Sequence, residues 1–238
     1  MIDVGACTAV GSGILRAVPG LPTISAASRP QVWGVCGGSG SGKSTLVGML
    51  VARLPKGAVT VVHFDAYYRD LSHLPATARA DLNFDHPDAL ESELLVQHLQ
   101  TLLTGGSAAM PHYDFAHHSR SPGNTVLAPA PLLLVEGILL YAFPQLAAMF
   151  DYRVFIDVPE PVRLERRIAR DVVTRGRSEQ SVRAQFAATV APMHWEFVQP
   201  GLDVADRVVR YGEDYVVVAE ELAAQAAPHV RHWGSETS

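Results

Sequence analysis

Lysine is nearly missing from this chain, which holds Lys43 and Lys56 against 17 arginines. Cysteine is as scarce. Cys7 and Cys36 are alone, so there is no Cys-x-x-Cys site and no paired disulfide framework. Cys36 closes an apolar run and reads as a small buried hydrophobe of a reducing compartment. No uninterrupted apolar stretch approaches the roughly 20 residues that cross a bilayer. A secretory leader is not expected, because Asp3 precedes the first basic residue, Arg16, and Gly and Ser interrupt any apolar core. A formal net charge of -5 argues against a general nucleic-acid binder. These absences point to a cytoplasmic protein with neither a membrane nor a nucleic-acid partner. Internal repeats and long low-complexity tracts are lacking too.

What remains is 238 residues, 48% of them apolar, enough for one α/β domain or for one domain with a small lid. Short runs apolar on both faces, "QVWGVC" (31–36), "AVTVVHF" (58–64), "PLLLVEG" (131–137), "YRVFIDV" (152–158) and "DRVVRY" (206–211), predict strands of a buried parallel sheet. Helical patterns fall between them, over 43–54, 87–103, 160–175, 178–198 and 214–227. The alternation predicts parallel strands with right-handed crossovers, flanked by helices. Residues 106–130, where Pro, Gly and Asn flank short extended pieces, interrupt it as a small β-hairpin excursion. Residues 1–30 read as a flexible extension, 31–230 as the domain, and 231–238 as a tail.

One of the two lysines sits in "GGSGSGKST" (37–45), directly after the first strand and before the first helix. Gly37-x-x-x-x-Gly42-Lys43-Ser44 fits the G-x-x-x-x-G-K-[ST] phosphate loop in the context the pattern requires. Glycines let backbone N–H groups turn inward, and the helix N-terminus adds positive potential. The stretch Gly37, Gly38, Ser39, Gly40, Ser41, Gly42, Lys43, Ser44 and Thr45 is therefore the expected phosphate cradle. Lys43 supplies a point charge between the outer phosphates, and Ser44 offers a hydroxyl to Mg²⁺. An Asn-Lys-x-Asp base-reading motif and a Leu-Ser-Gly-Gly-Gln signature are both absent. A GTPase and a transport ATPase are thereby disfavoured against a small-molecule kinase.

Acids and aromatics supply the rest. Asp65 follows the second strand, where a carboxylate takes a proton from an attacking hydroxyl, binds Mg²⁺ through water, or simply caps a turn. Glu136 ends the "LLLVEG" strand, as a metal-serving acid or a plain strand-end carboxylate. In "LNFDHPDAL" (82–90), Asp88 is expected to serve a helix N-terminus, which leaves Asp85 free. A free carboxylate suits a vicinal diol such as that of ribose. Phe84, Tyr113, Phe115 and His118 form a mix that stacks on a flat base. The histidines of "HYDFAHHSR" lack the acid and Cys partners of a zinc site. Arg163, Arg166, Arg167 and Arg170 fall on one helical face, either solvated or turned to an anion. Glu165 and Asp171 alone balance the six arginines of 163–177, and Gly176 reads as the hinge end of a mobile lid.

Together "GGSGSGKST", "FDAYYRD", "NFDHPDAL", "PHYDFAHHSR", "VEGILLY", "RLERRIARDVVTRGRS" and "FVQPGLDVADRVV" resemble the uridine kinase (uridine–cytidine kinase) family over about residues 31–212. The resemblance implies a P-loop NTPase fold with a helical lid at about 163–185. It also implies transfer of the γ-phosphoryl of ATP or GTP to the 5′-hydroxyl of uridine or cytidine, with Mg²⁺. It makes Asp65 the base, with Ser44, Asp65 and Glu136 around the metal and Asp85 and Arg167 on the ribose hydroxyls. Phe84, Tyr113, Phe115, His118, Arg177 and Gln185 fall in the nucleoside pocket, and Arg170 and Arg175 reach from the lid to phosphate. A homotetramer is implied as well. The chain departs from the family at Ala66, where Ser is usual, and at His117–His118, where Ser-His is usual. Two other readings stay open. One is a related kinase with a phosphoribulokinase- or pantothenate kinase-like acceptor. The other is a silent nucleotide-binding regulator, which would be expected to lose Asp65, Glu136 or Lys43.

Overall fold

The computed structural model describes residues 29–75, 78–79 and 82–230. The expected N-terminal extension lies almost wholly outside the described residues, and the C-terminal tail entirely so. The strands, in chain order, are β1 (Gln31–Gly37), β2 (Val59–His63), β3 (Ala108–Asp114), β4 (Ser119–Leu127), β5 (Leu132–Gly137), β6 (Tyr152–Asp157) and β7 (Arg207–Arg210). The five apolar runs make one all-parallel sheet in the order β2-β5-β1-β6-β7. β3 and β4 pair antiparallel as the expected hairpin, with a bulge at Pro111/His112.

Every residue of β5 is buried, as a strand covered on both faces must be. Alternation along β1 sends Val32 into one core and Trp33 and Val35 into another. The first core packs β1, β2 and β5 against α2 (Ser92–Leu103) and the hairpin, through Phe64, Tyr67, Leu95, Leu99 and Leu133. The second packs the other face against α1 (Lys43–Val51) and a C-terminal helix over Tyr215–Val230, through Leu46, Leu50, Leu134, Val154 and Leu222. Each such side chain contributes about 1.5–3 kcal/mol on burial. Between these lie α3 (Pro144–Ala147), α4 (Glu160–Arg175), α5 (Glu179–Gln185) and α6 (Ala191–Met193), and the C-terminal helix is α7. Among the described residues no helix is long and apolar enough to cross a membrane.

Two predicted helices are broken. The pattern over 87–103 splits because Leu90 is drawn out into extended backbone, buried and bridged to Tyr68, with Glu91 N–H donating to Tyr67 O at 2.9 Å. Pro87–Ala89 becomes a separate 3₁₀ turn and the long helix starts at Ser92. Asp88, its side chain 92% exposed, lies in the first turn of that 3₁₀ segment and does not cap the long helix. The stretch 178–198 starts as expected, with Ser178 Oγ accepting from Ser181 N–H at 3.2 Å. It then widens into π-turns at Phe186–Val190 and His194–Val198, on either side of α6. Pro192 lies between them and has no N–H to give an α-helical ladder.

Candidate active site

The loop between β1 and α1 is shaped by contacts that leave no room for side chains. A β-carbon on Gly40, at φ +81, would lie 2.4 Å from the carbonyl oxygen of Arg163. One on Gly42, at φ +99, would meet the Tyr215 hydroxyl at 2.9 Å. Only glycine combines that backbone with that approach. Lys43 Nζ donates to Gly37 O at 2.9 Å and Gly38 O at 3.1 Å. Burial lowers its pKa, which the nearby Asp65 and Glu136 partly restore.

Above this loop opens a cavity of about 870 Å³, lined by Ser39, Gly40, Gly42, Lys43, Ser44 and Thr45 below, and by Arg166, Arg170 and Arg175 to the side. Gly37, Gly38 and Ser41 of the expected cradle stand behind this lining. Asp65, in the 3₁₀ turn Phe64–Tyr67 that follows β2, faces the same cavity. Burial raises its pKa, opposed by Lys43, which makes it a better proton acceptor than an exposed carboxylate. Glu136 enters from β5, and its two oxygens accept from Ser44 Oγ at 3.0 and 2.9 Å. His63, its register partner on β2, places Nδ1 2.7 Å from Oε1. Burial alone would raise the Glu136 pKa, but the bonds from His63 and Ser44 and the charge of Lys43 bring it below the usual value. Ser44, Asp65 and Glu136 thus offer hard oxygen donors to one cavity. Among the described residues no group of three or more His, Cys, Asp or Glu makes a metal cage.

A smaller cavity of about 80 Å³ adjoins the first and shares Ser39, Asp65, Tyr113, Phe115, Arg170 and Arg175 with it. Phe84, Asp85, His118, Arg167, Arg177 and Gln185 line it too, beside Tyr68 and Ile138, so all eight residues expected around a nucleoside meet here. Phe84 and His118 stack, and Tyr68 meets Phe84, Tyr113 and Phe115 edge-on or tilted. The Tyr113 hydroxyl is buried without a hydrogen-bond partner. Asp85 is buried, its pKa raised by desolvation and opposed by Arg167, and Thr189 Oγ1 donates it a long bond of 3.5 Å. A third cavity of about 590 Å³ runs from Gly42, Thr45 and Arg166 to Tyr211–Tyr215.

The arginine face divides. Arg166, Arg167, Arg170 and Arg175 line these cavities, but Arg163 does not. Its side chain is buried behind the loop, where Nε donates to Val158 O at 3.0 Å and the guanidinium lies over Phe186. Asp171 is a counter-charge to the arginines of 163–177, as expected, and it is fully buried, with four of them within 3.6 Å. Gly176 ends α4 in left-handed backbone, at φ 62. Sequence reasoning missed His63 and Tyr68. For His63 the available signal was a histidine ending a strand two residues before the acid.

The family model described as phosphoribulokinase / uridine kinase family matches residues 32–217. The chain belongs to that family. It is 43% identical over 205 residues to a uridine kinase of Chloroflexus aurantiacus, covering 84% of this chain and 98% of that one. A uridine kinase of Clostridium perfringens is 36% identical over 197 residues, covering 83% and 95%. Among solved structures, phosphoribulokinase from Rhodobacter spheroides shares the fold, with a TM-score of 0.56 at 16% identity over 78% of this chain and 71% of that one. Family membership fits the P-loop, the parallel sheet and the two-part cavity described above.

Proposed function

We propose that this kinase transfers the γ-phosphoryl of ATP or GTP to the 5′-hydroxyl of uridine or cytidine. The observation that carries the reading is the position of Asp65, in the wall shared by the phosphate-lined and aromatic-lined cavities. A donor tail on Lys43 and the loop amides and an acceptor against Phe84, Tyr113, Phe115 and His118 would both reach it. Asp85 and Arg167 take the ribose hydroxyls, and Arg177 and Gln185 close the acceptor side. The donor's base and sugar extend into the third cavity, past Arg166 toward Tyr215.

Asp65 orients the 5′-hydroxyl and accepts its proton as that oxygen bonds to the γ-phosphorus and the bond to the β-phosphate oxygen breaks. The transition state of phosphoryl transfer is loose, so charge stabilisation and positioning dominate. Lys43, Arg170 and Arg175 supply fixed cations. Mg²⁺, held by Ser44, Glu136 and Asp65, adds further neutralisation of the phosphates when bound. Residues 163–185 act as a lid that excludes water, the competing acceptor, within a single kinase domain over 31–230. The reading carries a cytoplasmic homotetramer, for which light scattering should give four times the 25.6 kDa chain mass.

An acceptor screen with purified protein, Mg²⁺ and ATP or GTP tests the reading. Uridine or cytidine should be phosphorylated, and ribulose 5-phosphate and pantothenate should not. Asp65→Ala should lower turnover by on the order of 10²–10⁴ while leaving nucleotide binding intact. Normal turnover in that variant would remove Asp65 from its role.

A further inference from the structure

Asp171, on α4, has no exposed side-chain surface, and four arginines crowd it. Oδ1 accepts from Arg170 Nε at 2.8 Å and faces Arg175 Nη1 at 3.5 Å. Oδ2 faces Arg167 Nε and Arg177 Nη1, each at 3.6 Å. Oδ2 and Arg167 Nε are both buried, and neither has a hydrogen-bond partner. One oxygen of the carboxylate is engaged, while the other stops a few tenths of an ångström short of a bond. Leaving that pair unmade carries a desolvation cost, so the arrangement gains if the gap closes.

The four arginines differ in reach. Arg170 and Arg175 line the large phosphate-side cavity and the aromatic pocket alike. Arg167 and Arg177 line only the aromatic pocket, where both donate to Gln185 Oε1, at 3.0 and 2.6 Å. One buried anion therefore divides its charge between two cations that reach the phosphate-side cavity and two that face the acceptor pocket alone.

We propose that Asp171 is a positioning residue that couples the two binding cavities. The inference rests on the donor and acceptor assignment made above. A polyphosphate in the large cavity competes with Asp171 for Arg170 and Arg175. As these turn to it, the charge of Asp171 passes to Arg167 and Arg177, the gap at Oδ2 closes, and both guanidiniums are fixed at the acceptor pocket. Arg175 also stands over the Phe115 ring at 4.8 Å, so its movement reaches a wall of that pocket directly. Donor binding thereby tightens acceptor binding, and by linkage the acceptor tightens the donor by the same factor.

Calorimetric titration of uridine and cytidine, with and without a non-hydrolysable ATP analogue and Mg²⁺, tests this. The native protein should bind nucleoside at least about 5-fold tighter with the analogue present. Asp171→Asn should bring that ratio close to 1 and lose no affinity for the analogue alone, because Arg170 and Arg175 are released to it. Asp171→Glu should restore part of the ratio. Should Asp171→Asn fail to fold, Arg170→Gln decides. It leaves Asp171 to Arg167 and Arg177, and should tighten nucleoside binding without the analogue. An unchanged ratio in Asp171→Asn, or weaker nucleoside binding in Arg170→Gln, overturns the coupling and leaves the acceptor assignment intact. If neither nucleoside binds the native protein under either condition, the acceptor assignment fails and the coupling fails with it.

Discussion

The rings of Phe84 and His118 lie face to face, their centroids 4.3 Å apart and their planes 13° from parallel. His118 holds left-handed backbone at φ 49, a conformation that costs a non-glycine residue roughly 1–2 kcal/mol. Burial and the charges of Arg177 and Arg175 keep its pKa below the ordinary histidine value, so the ring stacks as an uncharged plate. His118→Ala should raise KM for the nucleoside about 5- to 10-fold, with KM for the nucleotide and kcat little changed. An equal rise in the nucleotide KM would place the ring elsewhere in the reaction.

Gly40 and Gly48 should answer the same substitution in opposite ways. Alanine at Gly40 drives a β-carbon against backbone at 2.4 Å, whereas at Gly48, exposed on α1, it meets nothing within 4 Å. Gly40→Ala should abolish nucleotide binding in calorimetry. Gly48→Ala should raise stability by roughly 0.5–1 kcal/mol in chemical denaturation and leave binding unaltered.

The Glu136 carboxylate is held ionised by His63, Lys43 and Ser44 against the effect of its burial. Glu136→Gln should increase the Mg²⁺ needed for half-maximal rate by roughly 10- to 100-fold, with the melting temperature preserved. Chelation with excess EDTA should stop turnover in both proteins. Identical Mg²⁺ curves would take Glu136 out of the metal's surroundings.

His194 gives the fold an acid-sensitive point. Burial and the adjacent Arg163 push its pKa down to about 4, so it is neutral in the folded chain. The unfolded chain takes up a proton from about pH 6.5 downward. Stability linked to this group is therefore complete above pH 6.5 and is lost as the pH falls toward 4, by about 3 kcal/mol at most. Urea denaturation between pH 7 and 4 should show that slope, and His194→Gln should flatten it.

The strands were legible because each is a short apolar run in a sheet covered on both sides, and the phosphate loop because its spacing tolerates few alternatives. Phe84, Asp85, Tyr113, Phe115 and His118 could be listed from the sequence, but their meeting at one wall depends on a hairpin folding back over α2, which no local pattern encodes. The break before Ser92 was hidden because Leu90 fits a helical period as well as it fits the bridge to Tyr68. Arg163 and Arg167 sit four apart on one helix, yet one is turned behind the loop and the other into the pocket. A charge count along a helix cannot separate these. Asp171 was legible as a counter-charge, but its burial was not, because that is set by tertiary packing of four cations around it.

Among the described residues, the two interior layers on opposite sides of the sheet share no side chain. Tyr68 and Phe84 belong to one, and Leu46, Val47 and Leu50 beneath the glycine turn belong to the other. Natural selection can therefore rework the half that chooses which alcohol is phosphorylated while the half that grips the energy-rich tail stays as it is. A fold partitioned in this way diversifies by exchanging one hemisphere and inheriting the other.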